Sequence, residues 1–467
     1  MSEFLYHYKP VEPSTWFYLS SLLMIGLFFK FGRFWSVRNL DLALLIALGP
    51  GLLLVYYGRE TELNQTTPDL TTNVAVVPSE VQENAIPDSD SEASAANSDE
   101  DSVSTDGHTE LTASIRAQRL GYLWLFLAGG LILCRMLADP TMVRRPLLEP
   151  NLSVGGLAFI GCSLFIFLTA NVINRSPEDD PLRELRTPAA SDSASTKSTE
   201  PPSQGPGYAL LQAIPIRMQK VLAISSHLMI VVGLVLIGYW HFDNIVMGVG
   251  AATLYLMMPY TTILTGHMEH ALPACFIVLA VLLYRHPVFA GVFLAIGGGL
   301  VYYPLFLAPL WLSYYWSRGL LRFVIAYVVT LLVLACILLI PSTDRFQEFC
   351  QMFGIMKPNM TGLLGVWEEN REGWSPFYRI PVLSGFVVLA STLALWPAQK
   401  NLGTLLSCST AVLVASQFWH GFGGGLYIGW YLPLLLLAIF RPNLEDRIAQ
   451  TVVKNLWIPR RFRLDRI

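Results

Sequence analysis

Charge is what this sequence has least of. Of its 467 residues only 14% are Asp, Glu, Lys or Arg, where a soluble domain carries about 25%. That deficit excludes an ordinary soluble domain and points to a chain whose solvent is mostly lipid. Mean hydropathy of +0.47 and a hydrophobic fraction of 53% agree. Cysteine is also sparse. There are six, five of them inside apolar runs and only Cys350 in a polar loop, and no CxxC spacing occurs. This argues against a disulfide framework or a zinc site, and for buried cysteines acting as small apolar residues. A basic leader is missing too: Lys9 stands alone and no small-residue cleavage site follows the first apolar run, which reads as a retained anchor. No Ser-His-Asp, phosphate-loop or dinucleotide signature occurs, and no GK[ST] follows the glycines at 421–425.

Long apolar runs are abundant. Crossings are expected at 16–29, 40–57, 120–137, 152–173, 221–240, 245–264, 271–284, 288–301, 304–316, 320–340, 381–396, 402–418 and 426–440. Each is about long enough to cross a hydrocarbon core with some tilt. Gly49-Pro50-Gly51 should kink the second run. Asp41 opens that run, where a carboxylate suits a helix N-terminus, and no charged pair is evident deep in a crossing. Between residues 60 and 110 lie 13 acids and no Lys or Arg. That segment, and a second polar one further on, cannot bury enough apolar surface to offset chain entropy, and both read as disordered.

The expected organisation follows: an N-terminal pair of crossings at 1–58, a disordered acidic loop at 59–119, and a second pair at 120–174. A disordered loop at 175–207 precedes a transmembrane core at 208–440, which has a polar loop at 341–379, and a basic tail at 441–467. Residues 208–220 suggest a helix lying at the interface. Basic residues in short links face the cytoplasm. About thirteen crossings with the N-terminus outside place Lys30, Arg33, Arg38, Arg144, Arg145, Arg285, Arg318, Arg322, Lys400 and the tail arginines inside together. Arg217 and Lys220 are the exceptions. The fold class is therefore all-α: a polytopic bundle with two disordered outer loops.

This orientation puts three clusters on the outer face. The first is Gly266-His267-Met268-Glu269-His270. It could be a metal-binding turn or a plain helix connection; a spacing of three between its histidines is only a partial metal site. Partial burial would raise Glu269 towards neutrality and suit it as a general base. The second cluster, in the polar loop, is Asp344, Lys357, Trp367, Glu368, Glu369, Arg371, Glu372 and Trp374. Its tryptophans could stack on sugar rings while its carboxylates accept hydroxyl protons, or it could be part of an interfacial aromatic belt. The third is Trp419, His420 and the glycines that follow.

Residues 241–318 resemble the GT-C superfamily of membrane glycosyltransferases, and most closely the polyprenol-phosphate-mannose-dependent alpha-mannosyltransferase-like family. The matching features are Pro259, Gly266-His267, Arg285-His286-Pro287, Ala290-Gly291, Gly297 and Pro304-Leu305-Phe306, with a weaker echo in YIGWYLP at 427–433. The resemblance implies a GT-C-like fold, a lipid-phosphate sugar donor, an outer-face site and an acidic base in the first outer loop. The sequence departs from the family in two places. Only Glu60 and Glu62 of its first outer loop lie near the membrane, and Tyr302-Tyr303 stand before Pro304 where the family tends to have Lys.

The resulting expectation is a glycosyltransferase moving a sugar, mannose by resemblance, from a polyprenyl phosphate to an outer-face acceptor in the cell membrane. Glu269, Glu368 and Glu369 are the candidate catalytic carboxylates. His267, His270, Trp367, Arg371, Trp374 and His420 are the candidate substrate contacts. Membrane lipids and a lipid-linked sugar are the expected partners; no nucleic acid, metal or other cofactor is expected. A non-catalytic relative or scaffold, and a transporter or lipid carrier, remain as alternatives.

Overall fold

The computed structural model describes residues 11–66, 100–142, 148–174, 182, 214–339, 360, 363–368, 373–397 and 400–442. Among them the regular structure is helical: α1 (Pro13–Phe28), α2 (Val37–Thr66), α3 (Glu100–Ala138), α4 (Val154–Asn174), α5 (Ile216–Trp240), α6 (Ile245–Met257) and α7 (Pro259–Ile263). There follow α8 (Met268–Leu282), α9 (Pro287–Leu300), α10 (Ala308–Tyr315), α11 (Leu320–Leu339), α12 (Arg379–Leu395), α13 (Leu402–Trp419) and α14 (Leu432–Phe440). Six segments are long and apolar enough to cross a membrane: Val37–Gln65, Leu111–Thr141, Val154–Asn174, Ile216–Trp240, Pro376–Leu395 and Leu402–Trp419. The chain is a helical membrane protein.

Several other expected crossings are shorter or broken, for local reasons. The run at 245–264 divides into α6 and α7 because Pro259 has no N–H for the helix ladder. The runs at 304–316 and 426–440 each begin with a 3-10 turn, Tyr303–Leu307 and Ile428–Trp430, and continue as the short helices α10 and α14. Pro50, by contrast, sits inside an unbroken α2.

The acidic segment expected to be disordered is helical at both ends. α2 runs on to Thr66 and α3 starts at Glu100; residues 67–99 lie outside the described residues, as do 175–181 and 183–213. The interfacial helix expected at 208–220 is not separate at its described end: from Ile216 it is the first turn of α5. Cysteine burial also differs from expectation. Cys275 and Cys408 are buried, but Cys134, Cys162 and Cys336 lie exposed on the bundle surface.

Glycines set the closest helix approaches. A Cβ on Gly238 would fall 2.4 Å from Gly248 Cα, so α5 and α6 meet backbone to backbone. α2 and α3 run antiparallel and cross closely, with Gly51 against the Gly121 carbonyl and Gly58 against that of Ser114.

One end of the bundle gathers Arg38, Arg318, Lys400 and Arg441. Arg38 donates to the Phe28 carbonyl at 3.1 Å, and Arg318 to that of Lys400 at 2.9 Å. Lys400 Nζ donates to the carbonyls of Ala394 and Pro397 at 2.9 and 2.8 Å. The Phe28 and Ala394 carbonyls are among the last of α1 and α12, which a helix end leaves unpaired. The same end holds an ion network among Asp41, Arg135, Asp139 and Arg441, set near helix ends rather than deep in a crossing. Asp41 is more than a helix N-terminal carboxylate: it receives Arg135 Nε at 2.6 Å and Nη2 at 2.9 Å. Arg135 Nη1 reaches Asp139 at 2.9 Å, and Arg441 Nη2 reaches the other Asp139 oxygen at 2.5 Å. Ser407 Oγ also donates to that second oxygen. Asp139 is wholly buried. The two acids and two arginines balance, which is what allows such charges away from water.

The network joins α2, α3 and α13 to the end of α14. Gly403 makes it possible: a Cβ there would fall 1.8 Å from Arg441 Nη1. Replacing Asp139 by Asn leaves two buried guanidinium groups short of a counter-charge and should cost about 3–5 kcal/mol. The expected result is a lower unfolding midpoint in detergent, recovered in part by Asp139→Asn combined with Arg441→Gln. An unchanged midpoint for Asp139→Asn would contradict the role assigned to the network.

Candidate functional site

The opposite end carries the three clusters singled out from the sequence, and the fold brings them into one connected patch. The first sits in the turn between α7 and α8. The His267 N–H donates to the Leu264 carbonyl at 3.1 Å, closing the turn, and Glu269 falls in the first turn of α8. A carboxylate is favoured there by the amide dipoles of the helix N-terminus. His267 Nδ1 lies 3.6 Å from Glu269 Oε1, with side chains 11% and 16% exposed respectively. They form a mostly enclosed imidazole–carboxylate pair that solvent can still reach.

His270 turns inward. Its Nδ1 lies 2.5 Å from the Tyr260 hydroxyl, and its ring stacks on Tyr427 with centroids 5.3 Å apart. Tyr427 carries the contact on to the third cluster. Its ring lies 4.7 Å from that of His420 and 4.3 Å from that of Trp430. Trp430 stacks face to face on Tyr303 at 3.9 Å, and His420 lies parallel to Tyr302 at 6.2 Å. The two tyrosines noted as a departure from the family pattern are thus wall residues, each fixed by an aromatic partner.

The glycine run then receives the tryptophan loop. The Leu364 N–H donates to the Gly421 carbonyl at 2.8 Å, and the Gly423 N–H returns to the Leu364 carbonyl at 3.3 Å, a single parallel bridge between Leu364 and Phe422. Gly365 and Gly423 adopt φ of 79° and 65°, which suits residues without a Cβ. At Gly365 a side chain would also meet the Tyr122 ring of α3 at 3.1 Å. Trp367 and Trp374 both edge onto Phe126 of α3, at 6.4 and 6.3 Å. At the head of α12, Arg379 donates from Nε and Nη2 to the Trp419 carbonyl at 3.1 and 3.0 Å.

The expected site residues therefore divide. His267, Glu269, Glu368 and Trp374 keep partial or full exposure, and Trp374 at 45% can offer a ring face. Trp367 is 1% exposed. Its ring is taken up by Phe126 and Trp374, so it serves as packing rather than as the sugar platform the sequence suggested. His270 and His420 are buried wall residues rather than direct substrate contacts. Glu369 and Arg371 lie outside the described residues, as do Asp344, Lys357 and Glu372 of the same loop. Among the described residues no group of three His, Cys, Asp or Glu side chains is arranged to hold a metal ion.

Tyr260, Trp430 and Arg379 were not singled out from sequence. A lone cation heading an apolar run was the available signal for Arg379. Nothing in residue spacing marked the two aromatics, whose partners lie on other helices.

Burial and then the nearby Arg379 guanidinium push the His420 imidazole down to about 3. Its Nδ1 accepts the Phe422 N–H at 3.3 Å, as an unprotonated nitrogen must. The ring is thus neutral at working pH and is neither a general acid nor a cation for phosphate. Below the ordinary histidine value of about 6.5 the unfolded chain binds a proton that the folded chain refuses. Stability from this residue is therefore complete above that value and is lost progressively as pH falls from there towards 3. His420→Gln should flatten this part of the profile of melting temperature against pH. A parallel profile in the variant would contradict the neutral, buried assignment.

Comparisons with protein-family models, with curated proteins and with solved structures give no match for this chain.

Proposed function

We propose that this chain is a membrane glycosyltransferase of GT-C type, acting at the bundle end that carries the Gly266 to His270 turn. The observation that supports it is the convergence there of a partly enclosed carboxylate, an aromatic wall and a buried arginine, from segments some hundred residues apart in sequence. In this reading the shorter helices complete about thirteen crossings of the cell membrane. The basic end faces the cytoplasm and the site faces outward.

Glu269 takes the proton from an acceptor hydroxyl. The acceptor oxygen then forms a bond to the anomeric carbon of the sugar, and the bond from that carbon to the polyprenyl phosphate breaks. The electron pair leaves on the phosphate, which Arg379 and Arg371 help to neutralise. His267, its Nδ1 3.6 Å from Glu269, flanks the carboxylate and limits its approach to solvent. Trp374 offers a face to the sugar and Glu368 a hydrogen-bond acceptor. Mannose is the donor sugar by resemblance.

A transporter is the second reading, favoured by the ion network at the basic end, since coupled carriers use charges inside the bilayer. Both oxygens of Asp139 and both of Asp41 already meet arginine, and a staple of that kind offers no place for a passing ion.

The test uses membranes containing the full chain and a polyprenyl-phosphate mannose donor. Glu269→Gln should lower product formation by about 100-fold or more, the usual scale for loss of a general base. Glu368→Gln should lower it by less than about tenfold, chiefly through KM. Full activity of Glu269→Gln removes that residue from the mechanism. Failure of the wild-type chain with any polyprenyl-phosphate sugar removes the reading itself.

A further inference from the structure

His227 lies within α5, one of the six spans, and is buried among the helices. A histidine at that depth is costly unless both ring nitrogens are used. Both are. Nδ1 lies 2.8 Å from the Tyr255 hydroxyl and Nε2 lies 3.2 Å from the Thr265 carbonyl oxygen. A carbonyl only accepts, so Nε2 carries the proton. Nδ1 then has only a lone pair and accepts the Tyr255 O–H. One neutral tautomer makes both bonds.

The surroundings explain why such a bond is needed. Pro259 cannot donate to the Tyr255 carbonyl, and the Thr261 hydroxyl does so instead at 2.7 Å. The Thr265 hydroxyl turns back to the Thr262 carbonyl at 3.1 Å. The Thr265 carbonyl itself falls in the gap between α7 and α8, in a buried residue. It belongs to the turn that presents Glu269 four residues later.

We propose that His227 is a positioning residue for the candidate site: its Nε2–H anchors the Thr265 carbonyl and thereby sets the direction in which Glu269 is presented. Tyr255 fixes the tautomer that makes this possible. His227 touches no reacting atom, and its influence passes through the turn. The inference rests on the glycosyl-transfer reading for its consequence, and on the hydrogen bonds alone for its mechanism.

Two conservative variants separate this role from burial alone. A glutamine amide nitrogen reaches about as far as Nε2 and can still donate to Thr265. An asparagine reaches only as far as Nδ1 and cannot. In the full chain in detergent, hydrogen exchange at the amides of His267 and His270 reports the order of the turn. His227→Gln should match the wild type, and His227→Asn should exchange about tenfold faster, the scale of one lost hydrogen bond. With polyprenyl-phosphate mannose as donor, kcat should fall about tenfold in His227→Asn with KM unchanged, while His227→Gln retains activity. Equal exchange in the two variants overturns the anchoring, and equal kcat despite unequal exchange overturns the positioning role. If the exchange pattern holds but the wild-type chain transfers no sugar, the anchoring stands and the transferase reading falls.

Discussion

One buried carboxylate organises this bundle. Asp139 ends α3, sees no solvent, and receives Arg135 from its own helix, Arg441 from the end of α14 and Ser407 from α13. Through Arg135 it is joined to Asp41 on α2. In a low-dielectric interior such charges are tolerated only as a balanced set with near-complete hydrogen bonding. Helix sliding or rotation that separates one partner leaves the others stranded. The set therefore fixes α3 relative to α2, to α13 and to the end of α14.

That constraint matters further along the same helix. Tyr122 and Phe126 lie about three and a half and two and a half turns before Arg135, and they form the wall on which Gly365, Trp367, Trp374 and Gly423 settle. The tryptophan loop is joined to the glycine run by a single backbone bridge, a weak attachment on its own. Aromatic packing on α3 supplies the rest, at about 0.5–1.5 kcal/mol for each aromatic pair beyond its buried area. The basic end thus holds the helix, and the helix holds the candidate site.

Much of this was legible in the sequence because lipid leaves few choices. Apolar runs of span length have to be helices, and scarce charges have to lie at helix ends or in pairs. Those rules predicted the all-helical bundle, the basic end, and the grouping of His267, Glu269, Trp374 and His420 away from it. The rules failed where partners come from distant helices. Asp41 read as a helix-terminal carboxylate because nothing local announces Arg135, 94 residues on. Trp367 read as a sugar platform because indole exposure depends on Phe126, and His420 as a ligand because its burial depends on Tyr302, Tyr427 and Trp430. Residues 245–264 read as one crossing although Pro259 divides them, and the hydroxyl and imidazole that bond the carbonyls nearby lie on residues with no distinctive spacing.

The central claim is that the segment around Leu364 docks on the glycine run beside His420, so that separate stretches of sequence form one site. Residues paired across a bridge lie about 5 Å apart between Cα atoms, within the range a disulfide spans. In a chain with its native cysteines replaced, Leu364→Cys with Phe422→Cys should cross-link rapidly under mild oxidation, while Leu364→Cys with Lys400→Cys should not. Equal yields from the two pairs, or none from the first, would contradict the assembly of the site described above.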